Sequence, residues 1–208
     1  PWECMMTSTR WIYLIVLFAS SLLTGCGGAS DSPTSSSGQL QVAGDDIQIY
    51  GAGIKGPLAF ADTKVFAFDP AFPGFYNPDA PIASVVTDQY AQIASLKVPR
   101  KIKPPYVMTI GGPNAIDLNT GKAPVISTLV AVITKDMLTG KKPVYATPLT
   151  TLAFHMARHA SNAFTDGDTF SVELEKAALE INRTFVIDEA QPIDILTSPL
   201  MIDRTTDT

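Results

Sequence analysis

Residues 125–134 have the sequence VISTLVAVIT, which is the most apolar candidate for a β-strand in the chain. Valine, isoleucine and threonine dominate this stretch, and such β-branched residues favour extended backbone. The preceding residues 117–124, DLNTGKAP, are rich in turn-forming residues and mark where the strand begins. We therefore predict a buried core strand over residues 125–134, in which an aspartate in place of Val130 would unfold the domain.

Shorter β-type segments, separated by turn residues, lie on both sides of this strand. They are residues 47–50, 63–69, 81–86, 90–98 and 106–110 before it and residues 141–145 after it. The segments 81–86 and 90–98 are expected to form a strand pair around residues 87–89. The chain contains 16 prolines and 14 glycines, which suit a loop-rich β protein and do not suit a helical bundle. We therefore predict a mainly β fold, an antiparallel β-sandwich.

The hydrophobic period then changes from that of a strand to that of a helix. Thr147 can cap a helix and Pro148 suits the first helical position, so a helix with one apolar face is predicted over residues 148–163. Ser171 can cap a second helix over residues 172–185. The short connection between the two helices favours a short helical hairpin behind the β-sandwich.

A short apolar run at residues 11–23, WIYLIVLFASSLL, follows the basic residue Arg10. A membrane-spanning helix needs about 20 apolar residues, so this run is typical of a signal peptide instead. The run ends in Leu23-Thr24-Gly25-Cys26, which resembles the lipobox of bacterial lipoproteins. The resemblance implies cleavage before Cys26 and acylation of its thiol. Gly27, in place of an aspartate, implies sorting to the outer membrane.

These segments define the predicted domain organisation. Residues 1–26 are expected to form the lipoprotein signal peptide, and residues 1–4, which precede the first methionines, are expected to be an over-extended start. Residues 27–46 are rich in glycine and serine and are expected to form a flexible tether of about 20 residues that spans roughly 25 Å. The β-sandwich is predicted over residues 47–146, the helical hairpin over residues 147–187 and an irregular tail over residues 188–208.

Charge and cysteine content limit the partners and the means of stabilisation. The formal net charge is −5 and the chain has no basic run, which argues against nucleic acid or anionic lipid as the partner. The two cysteines are Cys4 and Cys26, so the mature domain is expected to have no disulfide and to depend on an apolar core. Attachment to the membrane is expected to depend on the lipid at Cys26.

Three short motifs are GIKGPLAFADTKV at residues 53–65, TDQYAQIASLKVP at residues 87–99 and ATPLTTLA at residues 146–153. The first two resemble the opening pattern and the hairpin pattern of bacterial carboxypeptidase-regulatory-like, or transthyretin-like, modules. The third resembles a segment that follows such modules in secreted bacterial lipoproteins. Ala91 stands near the position of a glycine in the family's hairpin, so this hairpin is expected to be built differently. The resemblance implies a β-sandwich of the immunoglobulin or transthyretin type, located in the cell envelope, and does not imply catalysis.

Few residues have the spacing of a metal or catalytic site. His155 and His159 are the two histidines, and their spacing places both imidazoles on one face of the predicted helix, where they could suit a metal ion. No glutamate follows His155 as H-E-x-x-H requires, so a solvent-facing or interdomain pair is the alternative. Asp166-Gly167-Asp168 is similar to the start of a calcium loop, but Ala177 stands where an EF-hand needs glutamate. We therefore predict no metal, no cofactor and no catalytic residue.

The proline-rich loop after the second predicted strand contains the aromatic residues Phe72, Phe75 and Tyr76. Aromatic side chains on a stiff loop lose little conformational entropy on binding and present a large apolar surface. These three residues are therefore candidates for ligand binding. The alternative is that they cap the core of the sandwich.

The sequence thus predicts a lipid-anchored lipoprotein of the cell outer membrane, on its periplasmic face or at the cell surface. The protein is expected to be a non-enzymatic binding or structural module whose partner is a glycan, a peptide or another envelope protein. The alternative hypothesis is that this chain is the N-terminal accessory region of a larger secreted hydrolase, whose catalytic part lies outside this sequence.

Overall fold

The structure of the protein, a computed structural model, describes residues 46–54, 57–160, 166–185 and 193–199. The predicted signal peptide, Cys26 and most of the predicted tether lie outside the described residues. Strand residues outnumber helical residues in the part that is described, so the prediction of a mainly β fold is confirmed.

Ten strands and three helices are present in the described residues. The strands are β1 (Asp46–Ile49), β2 (Gly51–Gly53), β3 (Leu58–Ala59), β4 (Asp62–Ala67), β5 (Ala83–Val86), β6 (Leu96–Pro99), β7 (Tyr106–Gly111), β8 (Ile116–Asp117), β9 (Thr128–Ile133) and β10 (Val144–Ala146). The helices are α1 (Lys135–Thr139), α2 (Pro148–Ala160) and α3 (Gly167–Phe185).

A four-stranded antiparallel sheet with the strand order β5-β4-β7-β9 is the largest sheet. Three two-stranded sheets accompany it. The pairs β1–β6 and β3–β8 are antiparallel, whereas β10 and β2 are parallel. The antiparallel part of the prediction is therefore confirmed for every described pair except β10–β2.

Alternate residues of β7 and β9 point to opposite faces of this sheet, as the period of two in a strand requires. One face carries Tyr106, Met108, Ile110, Leu129, Ala131 and Ile133, which pack with residues of β1, β6 and β10; we call this cluster the strand-side core. The other face carries Val107, Val130 and Val132, which pack with residues of α2 and α3; we call this cluster the helix-side core. Each fully buried large aliphatic side chain contributes about 1.5–3 kcal/mol to folding. The predicted core strand at residues 125–134 thus supplies both cores.

The hairpin predicted for residues 81–86 and 90–98 is not formed. β5 pairs with β4, and β6 pairs with β1. The side chain of Asp88 accepts hydrogen bonds from the backbone N–H groups of Tyr90 (2.9 Å) and Gln92 (2.8 Å), so these residues close a turn and do not extend a strand. The strand predicted over residues 90–98 is therefore shortened to β6, Leu96–Pro99, which ends one residue later than predicted.

Ala91 lies in this turn and adopts the left-handed backbone conformation, with a φ of 64°. Its N–H group donates to the carbonyl oxygen of Asp88 at 3.0 Å, and the residue is buried. Glycine adopts this conformation without strain, whereas a residue with a Cβ atom pays about 1–2 kcal/mol. The backbone at this position thus has the left-handed conformation that favours glycine, and it is strained because the residue is alanine.

The helices differ from the prediction in two ways: α3 begins earlier than predicted, and α1 is an additional helix. α2 begins at Pro148, as predicted. α3 begins at Gly167, because Asp166 and not Ser171 caps it; a carboxylate oxygen of Asp166 accepts the backbone N–H of Thr169 at 2.8 Å. Ser171 lies inside the helix and donates to the carbonyl of Gly167. α1 is a short helix that the sequence did not predict, capped by Thr134.

The motif at residues 146–153 starts α2 and also attaches it to the outer strand β9. The backbone N–H of Thr150 donates to the Thr147 hydroxyl (3.0 Å), and the N–H of Thr147 donates to the Thr150 hydroxyl (2.8 Å), which is a reciprocal cap. The Thr150 hydroxyl donates to the carbonyl of Val130 at 2.8 Å, and the N–H of Val130 donates to the Thr151 hydroxyl at 2.8 Å. Since β9 is at the edge of the sheet, both backbone groups of Val130 would otherwise lack a strand partner. The motif therefore closes the edge of β9 at Val130.

Candidate functional site

The aromatic loop lies against the helix-side core. The ring centroid of Phe75 is 5.4 Å from that of Phe170 on α3, and the ring centroid of Tyr76 is 4.5 Å from that of Phe66 on β4. Phe72, Phe75 and Tyr76 are each half-buried. Phe75 and Tyr76 thus occupy positions expected of residues that cap the core. The role of the three residues in ligand binding stays a prediction.

His155 and His159 lie on the exposed side of α2. Partial burial of the imidazole lowers the pKa of His155, and the positive charges of Arg158 and His159 lower it further. In the described part of the chain, no three or more His, Cys, Asp or Glu side chains are grouped so that they could hold a metal ion. The described residues therefore bring no third ligand to this pair, and metal binding there stays a hypothesis.

The segment Asp166-Gly167-Asp168 forms the start of α3. Asp166 accepts the N–H of Thr169, as described above, and Asp168 lies in the first turn. Negative charge at this end of a helix is favoured by the partial positive charge of the helix N-terminus. Both carboxylates therefore have a structural use at the start of the helix.

Two adjoining clefts flank α1, with volumes of about 380 and 360 Å³. Met137 and Lys142 line both clefts and so separate them. Volumes in this range are typical of sites for small ligands and short peptide segments. We call the larger one, between α1, α3 and residues 193–197, the acidic cleft. We call the smaller one, between α1, β1 and Arg100, the basic cleft.

The acidic cleft contains three carboxylates and a buried amide. Its charged residues are Asp136, Glu175, Asp194 and Lys142. The Lys142 ammonium lies 3.5 Å from a carboxylate oxygen of Asp194, and both side chains are about half exposed. The amide nitrogen of Asn182 donates to the carbonyl of Ile193 at 2.7 Å, while its Oδ1 atom is buried and has no hydrogen-bond partner within the described residues. A buried acceptor without a partner costs about 1–3 kcal/mol, so a ligand that donates a hydrogen bond here would recover that energy.

The basic cleft combines an apolar floor with a cationic rim. The floor consists of Ile133, Met137, Leu138 and Val144, and the charged residues are Arg100, Lys141, Lys142 and Asp46. Burial of an apolar group on such a floor is favourable, and ammonium and guanidinium groups form strong charge-assisted hydrogen bonds to carboxylates. The arrangement therefore suits a ligand that has both apolar groups and carboxylates.

The two lysines of the rim are positioned by the end of α1. The N–H of Lys142 donates to the carbonyl of Met137 (2.9 Å) and the N–H of Lys141 donates to that of Leu138 (3.2 Å), which is the Schellman pattern. Lys141 occupies the left-handed position of this motif, with a φ of 49°, where glycine is the usual residue. A lysine thus holds a strained position next to the basic cleft that glycine could fill without strain.

Sequence reasoning did not identify either cleft. The sequence pattern predicts a short strand at Lys141 and Lys142 and does not indicate α1. A usable signal was Thr134, which can cap a helix, followed three residues later by Met137 and then by Gly140 at the helix end. The clefts themselves are formed by segments far apart in sequence, so only the tertiary structure brings them together.

Among the residues that the structure describes, no helix has both the length and the apolar character that a membrane crossing requires. Comparisons with family models, curated proteins and solved structures gave no match for this chain. We therefore infer the function from the sequence motifs and from the geometry of the two clefts.

Proposed function

We propose that this protein is a lipid-anchored lipoprotein of the bacterial outer membrane and acts as a non-enzymatic binding module of the cell envelope. The observation that carries this proposal is Leu23-Thr24-Gly25-Cys26 at the end of the apolar run of residues 11–23. Acylation at Cys26 supplies two or three acyl chains, and two chains already anchor a protein stably. The folded part then needs no membrane-binding surface of its own and can present its clefts to a partner.

The clefts beside α1 support the binding role. They offer an apolar floor, cations on one side and carboxylates on the other, with Met137 and Lys142 between them. Concave sites with a few polar groups around apolar side chains are the usual form of a binding site. A partner with extended shape and mixed apolar and charged groups fits this surface, which favours a peptide or an envelope protein.

For the fold, we propose a two-layer β-sandwich of the transthyretin-like kind. Met108 of the central sheet packs in the same cluster as Leu96 and Val98 of β6, which supports two layers with the strand-side core between them. The hydroxyl of Tyr106, at the start of β7, donates to the carbonyl of Ile102 at 2.6 Å, an arrangement similar to the tyrosine corner of Greek-key sandwiches. Burial raises the pKa of Tyr106, so its hydroxyl stays a hydrogen-bond donor.

Labelling with palmitate in a Gram-negative host, followed by membrane fractionation, tests the anchor. We expect the wild-type chain to take up the label and to be recovered with the outer membrane. Cys26→Ala removes the thiol that would be acylated, so it should abolish the label and release the protein from membranes. Cys4→Ala, at the other cysteine, should change neither result. Recovery of Cys26→Ala in the membrane fraction would contradict the proposal.

A further inference from the structure

The strands β1 and β2 follow each other along the chain with Tyr50 alone between them. β10 pairs with β2 in parallel, and the pairing ends at Val144, which lies opposite Gly51. The N–H of Val144 donates to the carbonyl of Tyr50 at 2.8 Å. Beyond that bond the chain turns from β10 back to α1, and β1 has no partner on this edge among the described strands. β10 therefore covers the edge of β2 and leaves the same edge of β1 uncovered.

Backbone alternation identifies the groups at this edge. In a strand, the backbone groups of residues two apart point to the same side. The carbonyl of Tyr50 points towards β10, whereas the carbonyl of Gly51 accepts the N–H of Ile93 on the opposite side. The N–H and C=O groups of Gln48 and Asp46 therefore point in the same direction as the carbonyl of Tyr50.

The basic cleft lies along this edge. All five consecutive residues from Asp46 to Tyr50 line it. A ligand that touched only one face of the strand would contact alternate residues, so the run of consecutive residues indicates that the cleft follows the edge itself. Four residues of added strand occupy about 13 Å at roughly 3.3 Å per residue, which matches the length of β1.

We propose that the basic cleft binds an extended acidic peptide segment of another protein, which adds a strand to the edge of β1. The backbone of the segment would bond to Gln48 and Asp46. Its apolar side chains would contact the floor at Met137 and Val144, and its carboxylates would lie at the lysines of the rim. This inference rests on the proposed function, in which the protein is a binding module, and names the chemistry of its partner.

The charge of the rim decides between a foreign peptide and a second copy of this chain. If two copies paired through β1, each would bring three cations (Arg100, Lys141 and Lys142) and one carboxylate (Asp46) to the same short interface, which would leave an excess of positive charge there. Like charges that face each other oppose association, whereas opposite charges favour it. The same lysines therefore disfavour self-pairing and favour an acidic strand.

The test uses a fluorescent, end-capped hexapeptide of alternating valine and glutamate and the full chain in a mild detergent, with fluorescence anisotropy as the readout. We expect saturable binding. The double variant Lys141→Gly and Lys142→Gln should weaken it about tenfold or more, since it removes two of the three cations of the cleft. Glycine suits the left-handed position of Lys141, so this variant should stay folded. Lys64→Gln, at an exposed lysine of β4, should change the affinity less than about twofold.

A second peptide separates strand addition from simple charge attraction. It has the same sequence with alternate amides N-methylated, which removes the donors that a β-strand partner needs and keeps the charges. We expect it to bind about tenfold more weakly or worse. Equal affinity of the two peptides, or no binding by the first, would overturn the proposal. The proposal would also be overturned if the protein formed a dimer that did not bind the peptide and that the variant Gln48→Pro converted to monomers, because the edge of β1 would then pair with a second copy. If the peptide did not bind but palmitate labelling was normal, only the inference about the basic cleft would be wrong. The proposal of a lipid anchor would be unaffected, because the two experiments measure independent properties.

Discussion

The outer edges of β9 and β1 are treated in opposite ways by the fold. At β9, the hydroxyls of Thr150 and Thr151 bond to the backbone carbonyl and N–H of Val130, so this edge is closed at Val130 by α2. At β1, the edge faces the basic cleft and is lined by cations from the turn after α1. One edge is therefore used for the stability of the fold, and the other has no partner strand among the residues that the structure describes.

This difference shows how the protein can keep one strand edge accessible for pairing with a partner while it blocks another. An exposed edge is a template for pairing with any other chain, and natural proteins usually cover or charge it. β9 has five buried residues out of its six, which would make its open edge prone to aggregation, and the threonines block pairing at Val130 near its centre. β1 is shorter and is flanked by Lys141 and Lys142, so it can discriminate by charge between partners.

The largest expected effect comes from a charge at the closed edge. Val130 is 8 % exposed and packs in the helix-side core, so Val130→Asp buries an unpaired carboxylate. We expect a loss of about 3–5 kcal/mol in the free energy of unfolding, measured in urea. Val125 is 89 % exposed and lies in the same predicted strand, so Val125→Asp should change stability by less than about 0.5 kcal/mol. Equal effects of the two variants would mean that β9 is placed wrongly.

A second variant tests the boundary between the covered and uncovered edges. A Cβ atom on Gly51 would lie 1.7 Å from the backbone oxygen of Val144, so Gly51→Ala has to displace β10 from β2. We expect a loss of about 2–3 kcal/mol and faster amide exchange at Val144.

Gly121 provides the matched control for this variant. A Cβ atom there meets nothing within 4 Å, although the φ of 66° is strained for alanine. Gly121→Ala should therefore cost only about 1 kcal/mol and leave the exchange at Val144 unchanged. If Gly51→Ala also cost only about 1 kcal/mol and left the exchange at Val144 unchanged, β2 and β10 could not be in such close contact.

Removal of the Thr150 hydroxyl weakens the closed edge without a change in side-chain shape. Thr150→Val leaves the N–H of Thr147 without its acceptor and the carbonyl of Val130 without one of its donors. We expect a loss of about 2 kcal/mol by thermal or urea unfolding, because these groups are buried. Thr169, exposed on α3, is the control, and Thr169→Val should cost less than about 0.5 kcal/mol. A neutral result for Thr150→Val would contradict the role of its hydroxyl in attaching α2 to β9.

The smallest expected effect is a loss of stability at acidic pH that arises from His155 on α2, the helix that contacts β9. The pKa of His155 on α2 is lowered in the folded protein, so below about pH 6.5 the unfolded chain takes up this proton more readily. Stability is therefore full above that pH and falls as the pH drops through it towards the folded pKa. His155→Gln should make the melting temperature less dependent on pH between about 7.5 and 5.5. An unchanged pH dependence would contradict this assignment.

The sequence predicts the parts of this fold that depend on local patterns. β4, β7, β9 and α2 lie where period and capping residues place them, and Thr147 with Pro148 marks the start of α2. The hairpin prediction at residues 81–98 was wrong, because the side chain of Asp88 competes for the backbone of its neighbours. α1 is too short to show a hydrophobic period.

The candidate site could not be predicted for a different reason. The basic cleft depends on β10 beginning opposite Gly51, so that it does not reach β1, and on the left-handed conformation of Lys141. Neither feature is encoded in a local pattern. The pairing of β10 with β2 joins distant segments, and lysine rarely adopts the left-handed backbone conformation. The threonine motif was found as a resemblance, but its role at Val130 became visible only with the packing of α2.

Amide hydrogen exchange at Gln48 and Val130, measured by NMR on the full chain in detergent, tests the contrast between the two edges most directly. The N–H of Val130 is bonded to the Thr151 hydroxyl, so its exchange should be slow. The N–H of Gln48 points to the uncovered edge, so its exchange should be close to that of an unprotected amide and should slow when the valine–glutamate peptide is added. Protection of Gln48 in the free protein equal to that of Val130 would contradict the claim that the edge of β1 is available.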